Sequence, residues 1–107
     1  EISRLMVNAG LITIVSVISP FQREREFAKS LFKENEFFEI FVSTPLNICM
    51  SRDVKGLYNK SKKNKAFNKI GISDEYEKPT NPYLSIDTTD KSIESCIDLI
   101  LKKIFAN

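Results

Sequence analysis

The chain has 107 residues, 42% of them hydrophobic and 28% charged, the make-up of one globular domain with a modest core. A formal net charge of +2 is too small to imply a nucleic-acid or membrane partner, and no run of about 18 apolar residues is present to span a bilayer. Two cysteines outside any C-x-x-C pair, and no histidine, exclude the commonest metal ligands and every Ser-His or Cys-His nucleophile.

Ile2, Leu5, Met6 and Ala9 recur at helical spacing before Gly10, so the spacing predicts a helix over 1–9 closed by a glycine cap. A helix that starts uncapped at the first residue is expected of a chain cut from a longer one. The opening residues lack the layout of a signal peptide, which makes the cytoplasm the expected location. The run Leu11-Ile-Thr-Ile-Val-Ser-Val-Ile18 is nearly continuous and β-branched. It predicts a strand buried on both faces, as in a parallel sheet covered by helices. Ser19-Pro20 ends it.

Residues 23–34 read as an amphipathic helix with Phe27, Ala28, Leu31 and Phe32 inward. A second strand is expected over 37–42, then a short helix over 46–52 with Thr44 as N-cap and Pro45 in its first turn. Residues 55–74 have little apolar periodicity and carry Lys60, Lys62, Lys63, Lys65 and Lys69, the pattern of a mobile loop or lid. A third strand over 83–87 precedes a closing helix over 90–105, with Ile93, Cys96, Ile97, Ile100, Leu101 and Ile104 inward. Cys49 and Cys96 read as small hydrophobes facing a core. This alternation predicts an α/β fold with a parallel sheet and right-handed crossovers.

Ligands in open α/β sheets bind beyond the carboxyl ends of the strands. Ile18-Ser19-Pro20, Thr44-Pro45 and the residues from Asp87 to Lys91 are expected there. Arg52 and Lys55, just before a lysine-rich stretch, suit a polyanionic ligand: Arg forks to phosphate or stacks on a base, and Lys supplies a point charge. The plainer alternative is a local Arg52–Asp53 ion pair with Lys55 solvated. Nucleic-acid binding through Lys60 to Lys69 has little support, since only Phe67 interleaves the lysines.

The residues Phe37-Phe-Glu-Ile-Phe-Val42, Pro45-Leu46, Cys49 and Arg52-Asp-Val-Lys-Gly-Leu-Tyr58 resemble the central block of the adenylylsulfate (APS) kinases. Ala9-Gly10-Leu11-Ile12, Ile18-Ser19-Pro20 with Arg23 and Arg25, Gly71-Ile72 and Tyr76-Glu77-Lys78-Pro79 are similar to that family in order and spacing. The resemblance implies a P-loop kinase-type three-layer fold, of which residues 1–107 are the C-terminal part of a single domain, with a lid at about 55–82. It implies transfer of the ATP γ-phosphate to the ribose 3′-hydroxyl of adenylylsulfate, the chemistry of sulfate assimilation.

By the same resemblance, Ile18, Ser19 and Lys55 meet the acceptor, and Lys55 lies at its sulfate end. Ser19 corresponds to a serine phosphorylated in some members, although a turn hydroxyl explains it equally. Arg52, Lys91 and Cys96 fall near the ATP base, with plain core the alternative for Cys96. Phe67, Asn68 and Lys69 fall where the acceptor base stacks, and Lys69 stands where the family carries an aromatic residue. That departure keeps a second acceptor in view, such as cytidine diphosphoramidate in capsule biosynthesis.

The family's G-x-x-x-x-G-K-[ST] loop, which cradles phosphates and holds Mg2+, lies upstream of these residues in relatives. This segment alone is therefore expected to be inactive, with ATP and Mg2+ bound mainly by residues it lacks. A non-catalytic nucleotide- or partner-binding domain is the alternative from another class, and homodimer formation stays open.

Overall fold

In the computed structural model, residues 1–53, 55, 56, 59 and 76–106 are described. The first helix, α1 (Ile2–Asn8), ends where the spacing predicts. Gly10 takes φ 87°, its N–H donates to the Val7 carbonyl at 2.9 Å, and the Leu11 N–H donates to the Met6 carbonyl at 3.0 Å. This Schellman pair satisfies two carbonyls that the helix end would leave open. A side chain at residue 10 would meet no atom within 4 Å, so the dihedral, not space, selects glycine.

Helix α2 (Gln22–Ser30) is followed by β1 (Ile40–Val42) and α3 (Leu46–Arg52). Strand β2 (Leu84–Ile86) and α4 (Ile93–Phe105) complete the order. The two strands pair in parallel, with Ile40 opposite Leu84, Phe41 opposite Ser85 and Val42 opposite Ile86. The Ser43 N–H extends the ladder to the Ile86 carbonyl at 2.8 Å. Phe38 meets Tyr83 edge-on with centroids 4.8 Å apart, and Phe41 stacks with Tyr76 at 6.2 Å. Ile86, 3% exposed, is the one buried hydrophobic residue among those described. The architecture is α/β, with a small parallel sheet and four helices among the described residues.

Helix α4 is capped by Ser92, whose side chain accepts the Ser95 N–H at 3.1 Å. Glu94 in its first turn and Lys102 and Lys103 in its last complement the helix dipole. Its buried stripe is narrower than the expected one: Cys96, Ile100 and Ile104 are half-buried, while Ile93, Ile97 and Leu101 are exposed.

Three expectations are corrected. Residues 11–18 are not a buried strand: the run has no ladder partner among the described residues, with Ile12 82% and Ile14 90% exposed. A strand exists only when a neighbour takes its N–H and C=O groups, and β1 and β2 take each other's. The sheet accordingly has two strands among the described residues, not three. Thr44 is not the N-cap of α3. Pro45 holds that position without a side-chain bond, because the Thr44 hydroxyl is engaged by residue 88. In α2, Phe27 is exposed and Arg25 is buried instead.

Candidate functional site

The carboxyl ends of the two strands are tied together by three side chains. The Thr88 N–H donates to Thr44 Oγ1 at 3.0 Å, and the two threonine hydroxyls lie 2.7 Å apart. Arg52, the last residue of α3, donates from Nη1 to Thr88 Oγ1 at 2.7 Å. Its Nη2 donates to the Thr88 and Thr89 carbonyls at 3.0 and 3.2 Å. The fork is thus spent on one turn, which fixes the guanidinium plane, and among the described residues no ring is stacked on its flat face. Among the described residues no ion pair joins Arg52 to Asp53, whose carboxylate accepts the Asn59 N–H at 3.1 Å.

The turn itself is built on Asp87. Its Oδ1 accepts the Thr89 N–H at 2.9 Å and the Thr89 hydroxyl at 2.5 Å, while Lys91 Nζ donates to the Asp87 carbonyl at 3.0 Å. Arg52 and Lys91 therefore bracket a single turn beyond β2. The Thr89 hydroxyl, then the Thr89 N–H, hold the Asp87 carboxyl below its ordinary value of 3.8, with smaller help from the Lys91 and Arg52 charges. The carboxyl's support for the turn is present above that ordinary value and is lost as pH falls through the lowered one. Thr89→Val should move the Asp87 titration midpoint, read from carboxyl NMR shifts, upward toward 3.8. An unmoved midpoint would assign the depression to the neighbouring charges instead.

Lys55 lies exposed in the turn after α3, where the Gly56 N–H donates to the Asp53 carbonyl at 2.9 Å. Gly56 has φ 64° and Asp53 φ 22°, so the chain reverses sharply around Lys55. Cys96 sits half-buried in the first turns of α4; it and Cys49 are both free thiols. Phe67, Asn68 and Lys69 lie outside the described residues.

Ser19 belongs to a second cluster, and Ile18 before it is exposed. Ser19 has φ 43°, and its carbonyl accepts from Arg25 Nη1. Arg25, 8% exposed, also donates from Nη2 to the Glu77 carbonyl at 2.5 Å and to Gln22 Oε1 at 2.8 Å. Its Nε lies 3.5 Å from Glu39 Oε2, and its guanidinium lies 5.6 Å from the Tyr76 ring centre. Among the described residues no hydrogen bond or ion pair joins this cluster to Arg52, Lys55 or Lys91. The expectation that all three strand-end features meet at one sheet edge therefore holds for two of them. The third stands apart because the 11–18 run is not in the sheet.

Sequence reasoning named Thr88 only within the Asp87–Lys91 stretch and Arg25 only within the resemblance, and gave neither a role of its own. Thr88 joins Thr44 across the fold, a pairing with no local signature. Arg25 does carry a signal: Phe21, Ala28 and Phe32 lie at i−4, i+3 and i+7, which puts it in the apolar stripe of α2.

An open depression of about 290 Å³ is lined by Lys29, Phe37, Glu39, Tyr83 and Lys103. It lies at the amino ends of the strands, away from the edge where open α/β sheets take ligands. Among the described residues no group of three or more His, Cys, Asp or Glu side chains is placed to hold a metal ion. No helix among them is long and apolar enough to cross a membrane.

Residues 1–87 match the family model described as adenylylsulphate kinase. An adenylyl-sulfate kinase from Prochlorococcus marinus is 42% identical over 104 residues, covering 97% of this chain and 52% of that protein. A probable adenylyl-sulfate kinase from Halalkalibacterium halodurans is 45% identical over 101 residues, covering 94% and 49%. The bifunctional enzyme NodQ from Rhizobium meliloti is 53% identical over 88 residues, covering 82% of this chain and 14% of that protein. The chain thus spans about half the length of each of these kinases.

Proposed function

This chain belongs to the adenylylsulphate kinase family, and on that premise we propose that it is the C-terminal part of a P-loop kinase-type, three-layer domain. In this reading the complete kinase transfers the γ-phosphoryl group of ATP to the ribose 3′-hydroxyl of adenylylsulfate. The bond from the γ-phosphorus to the ADP oxygen breaks, a bond to the 3′-oxygen forms, and the hydroxyl proton is released. A cytoplasmic setting, with its supply of ATP, fits this chemistry.

The observation that carries the reading is Arg52, anchored by three hydrogen bonds on the turn beyond β2. A guanidinium with its edge so occupied offers a face to the ATP adenine. Lys91 and Cys96 flank the same base in this assignment. Lys55 brings its ammonium to the sulfate end of the acceptor, and Ile18 and Ser19 lie against the acceptor nucleotide. Mg2+ neutralises phosphate charge in such transfers; the described residues hold no carboxylate cluster for it. The 107 residues alone are then inactive.

Lys69 supports a second acceptor. Base–aromatic stacking contributes about 1–3 kcal/mol per base, and a lysine at that position gives up the stack that an adenine would use. The same 3′-kinase chemistry on cytidine diphosphoramidate follows if the base pocket has changed. The two are separated by measuring ATP-dependent phosphorylation of both acceptors by the complete kinase. The Lys69→Phe variant should improve adenylylsulfate use by about tenfold or more if this residue sets the base. No gain would remove Lys69 from acceptor choice, and transfer to neither acceptor would end both readings.

A further inference from the structure

We propose that Arg25 is a positioning residue that locks the Ser19 turn to the 76–77 segment and so holds the acceptor side of the site in register. The kinetic part of this proposal rests on the function proposed above; the structural part does not.

Arg25 is the one buried charged residue among those described. Burying a cation is costly unless charge and hydrogen-bond partners surround it, and here they come from four stretches of chain. The Ser19 carbonyl accepts from Nη1, and the Glu77 carbonyl and Gln22 Oε1 accept from Nη2. The Glu39 carboxylate, just before β1, supplies the opposite charge at 3.5 Å. Tyr76 covers the guanidinium with its ring and is itself stacked on Phe41 of β1.

The linkage also runs in the opposite direction. The Glu77 N–H donates to the Pro20 carbonyl at 2.8 Å, and the Gln22 N–H donates to Glu77 Oε2 at 3.0 Å. The turn and the 76–77 segment are therefore stapled on both sides of Arg25. A left-handed Ser19, with φ 43°, persists only where its surroundings over-determine it. Its carbonyl is fixed by Arg25, and the next carbonyl, that of Pro20, by Glu77. Lysine cannot replace this arrangement, since its single ammonium lacks the planar fork that reaches two carbonyls and an amide oxygen at once.

The consequence is directional. Ile18 precedes the staple immediately and Ser19 is bonded into it, so loosening it displaces what lies against the acceptor and leaves the Arg52–Thr88 turn untouched. The test uses Arg25→Lys and Arg25→Met in the complete kinase, with steady-state kinetics and amide hydrogen exchange. Both variants should raise the acceptor KM by about tenfold or more with the ATP KM unchanged. The Glu77 and Gln22 amides should lose protection while the Ser43 amide, bonded to Ile86, keeps it.

Unchanged kinetics in both variants would overturn the proposal. So would a parallel rise in both KM values with loss of Ser43 protection, which would make Arg25 merely part of the fold. Should the unmutated kinase phosphorylate neither acceptor, the proposed function fails, and the exchange data alone decide the staple: retained Glu77 protection rejects it, and selective loss supports it.

Discussion

Replacing Ile14 with lysine should leave the 107-residue chain within about 0.5 kcal/mol of its unmutated stability and cost the complete kinase about 3 kcal/mol or more. In this structure Ile14 is 90% exposed, so a charge there meets water and nothing else. The run around it, Leu11 to Ile18, has the composition of a strand covered on both faces and here lies uncovered. The matched kinases are about twice as long as this chain, which leaves room for the elements that would cover it. Urea unfolding of both proteins, each with and without the substitution, reads the difference. A similar small change in both would mean that the run stays on the surface in the complete protein and that no larger sheet includes it.

Lys55→Ala should raise the acceptor KM of the complete kinase by about tenfold or more, and leave the ATP KM where it was. A hydrogen bond to a charged group contributes about 1.5–3 kcal/mol, which corresponds to a loss of that size in acceptor binding. Lys55 is exposed at a reversal fixed by Asp53 and Gly56, so truncating it removes charge without disturbing a packed neighbour. Lys55→Arg should retain part of the binding, because the charge is kept while its position shifts. An unchanged acceptor KM in the alanine variant would remove Lys55 from the acceptor site.

The elements most legible in the sequence are those that local chemistry specifies. Helix α3 runs over Leu46–Arg52 as expected, because Pro45 fixes the entry dihedral and is followed by residues that propagate a helix. The end of α1 follows from Gly10, whose positive φ closes the Schellman pair. Both paired strands fall inside their expected ranges, shortened to the residues that find ladder partners.

What stayed hidden depends on distance along the chain or on context. The Thr44–Thr88 bond joins residues 44 positions apart, and no local pattern announces it. The helical reading of α2 put Phe27, Ala28, Leu31 and Phe32 inward and did not place Arg25 there, although an arginine can be buried where acceptors and a counter-charge meet it. The 11–18 run shows the reverse error: its composition describes a covered strand, and only a neighbouring strand makes it one. Arg52 and Lys91 were read as neighbours of one base, and they do share one turn; Ser19 was placed at the same edge and lies in a separate cluster.

The most direct test of the account is the product of the complete kinase given ATP and, in separate reactions, adenylylsulfate or cytidine diphosphoramidate, examined by 31P NMR. The account predicts an ATP-dependent phosphomonoester signal coupled to the ribose 3′ proton, or the same signal on cytidine diphosphoramidate if Lys69 has changed the acceptor. A kinase that consumes no ATP with either acceptor, or that attaches phosphate at another position, would contradict it.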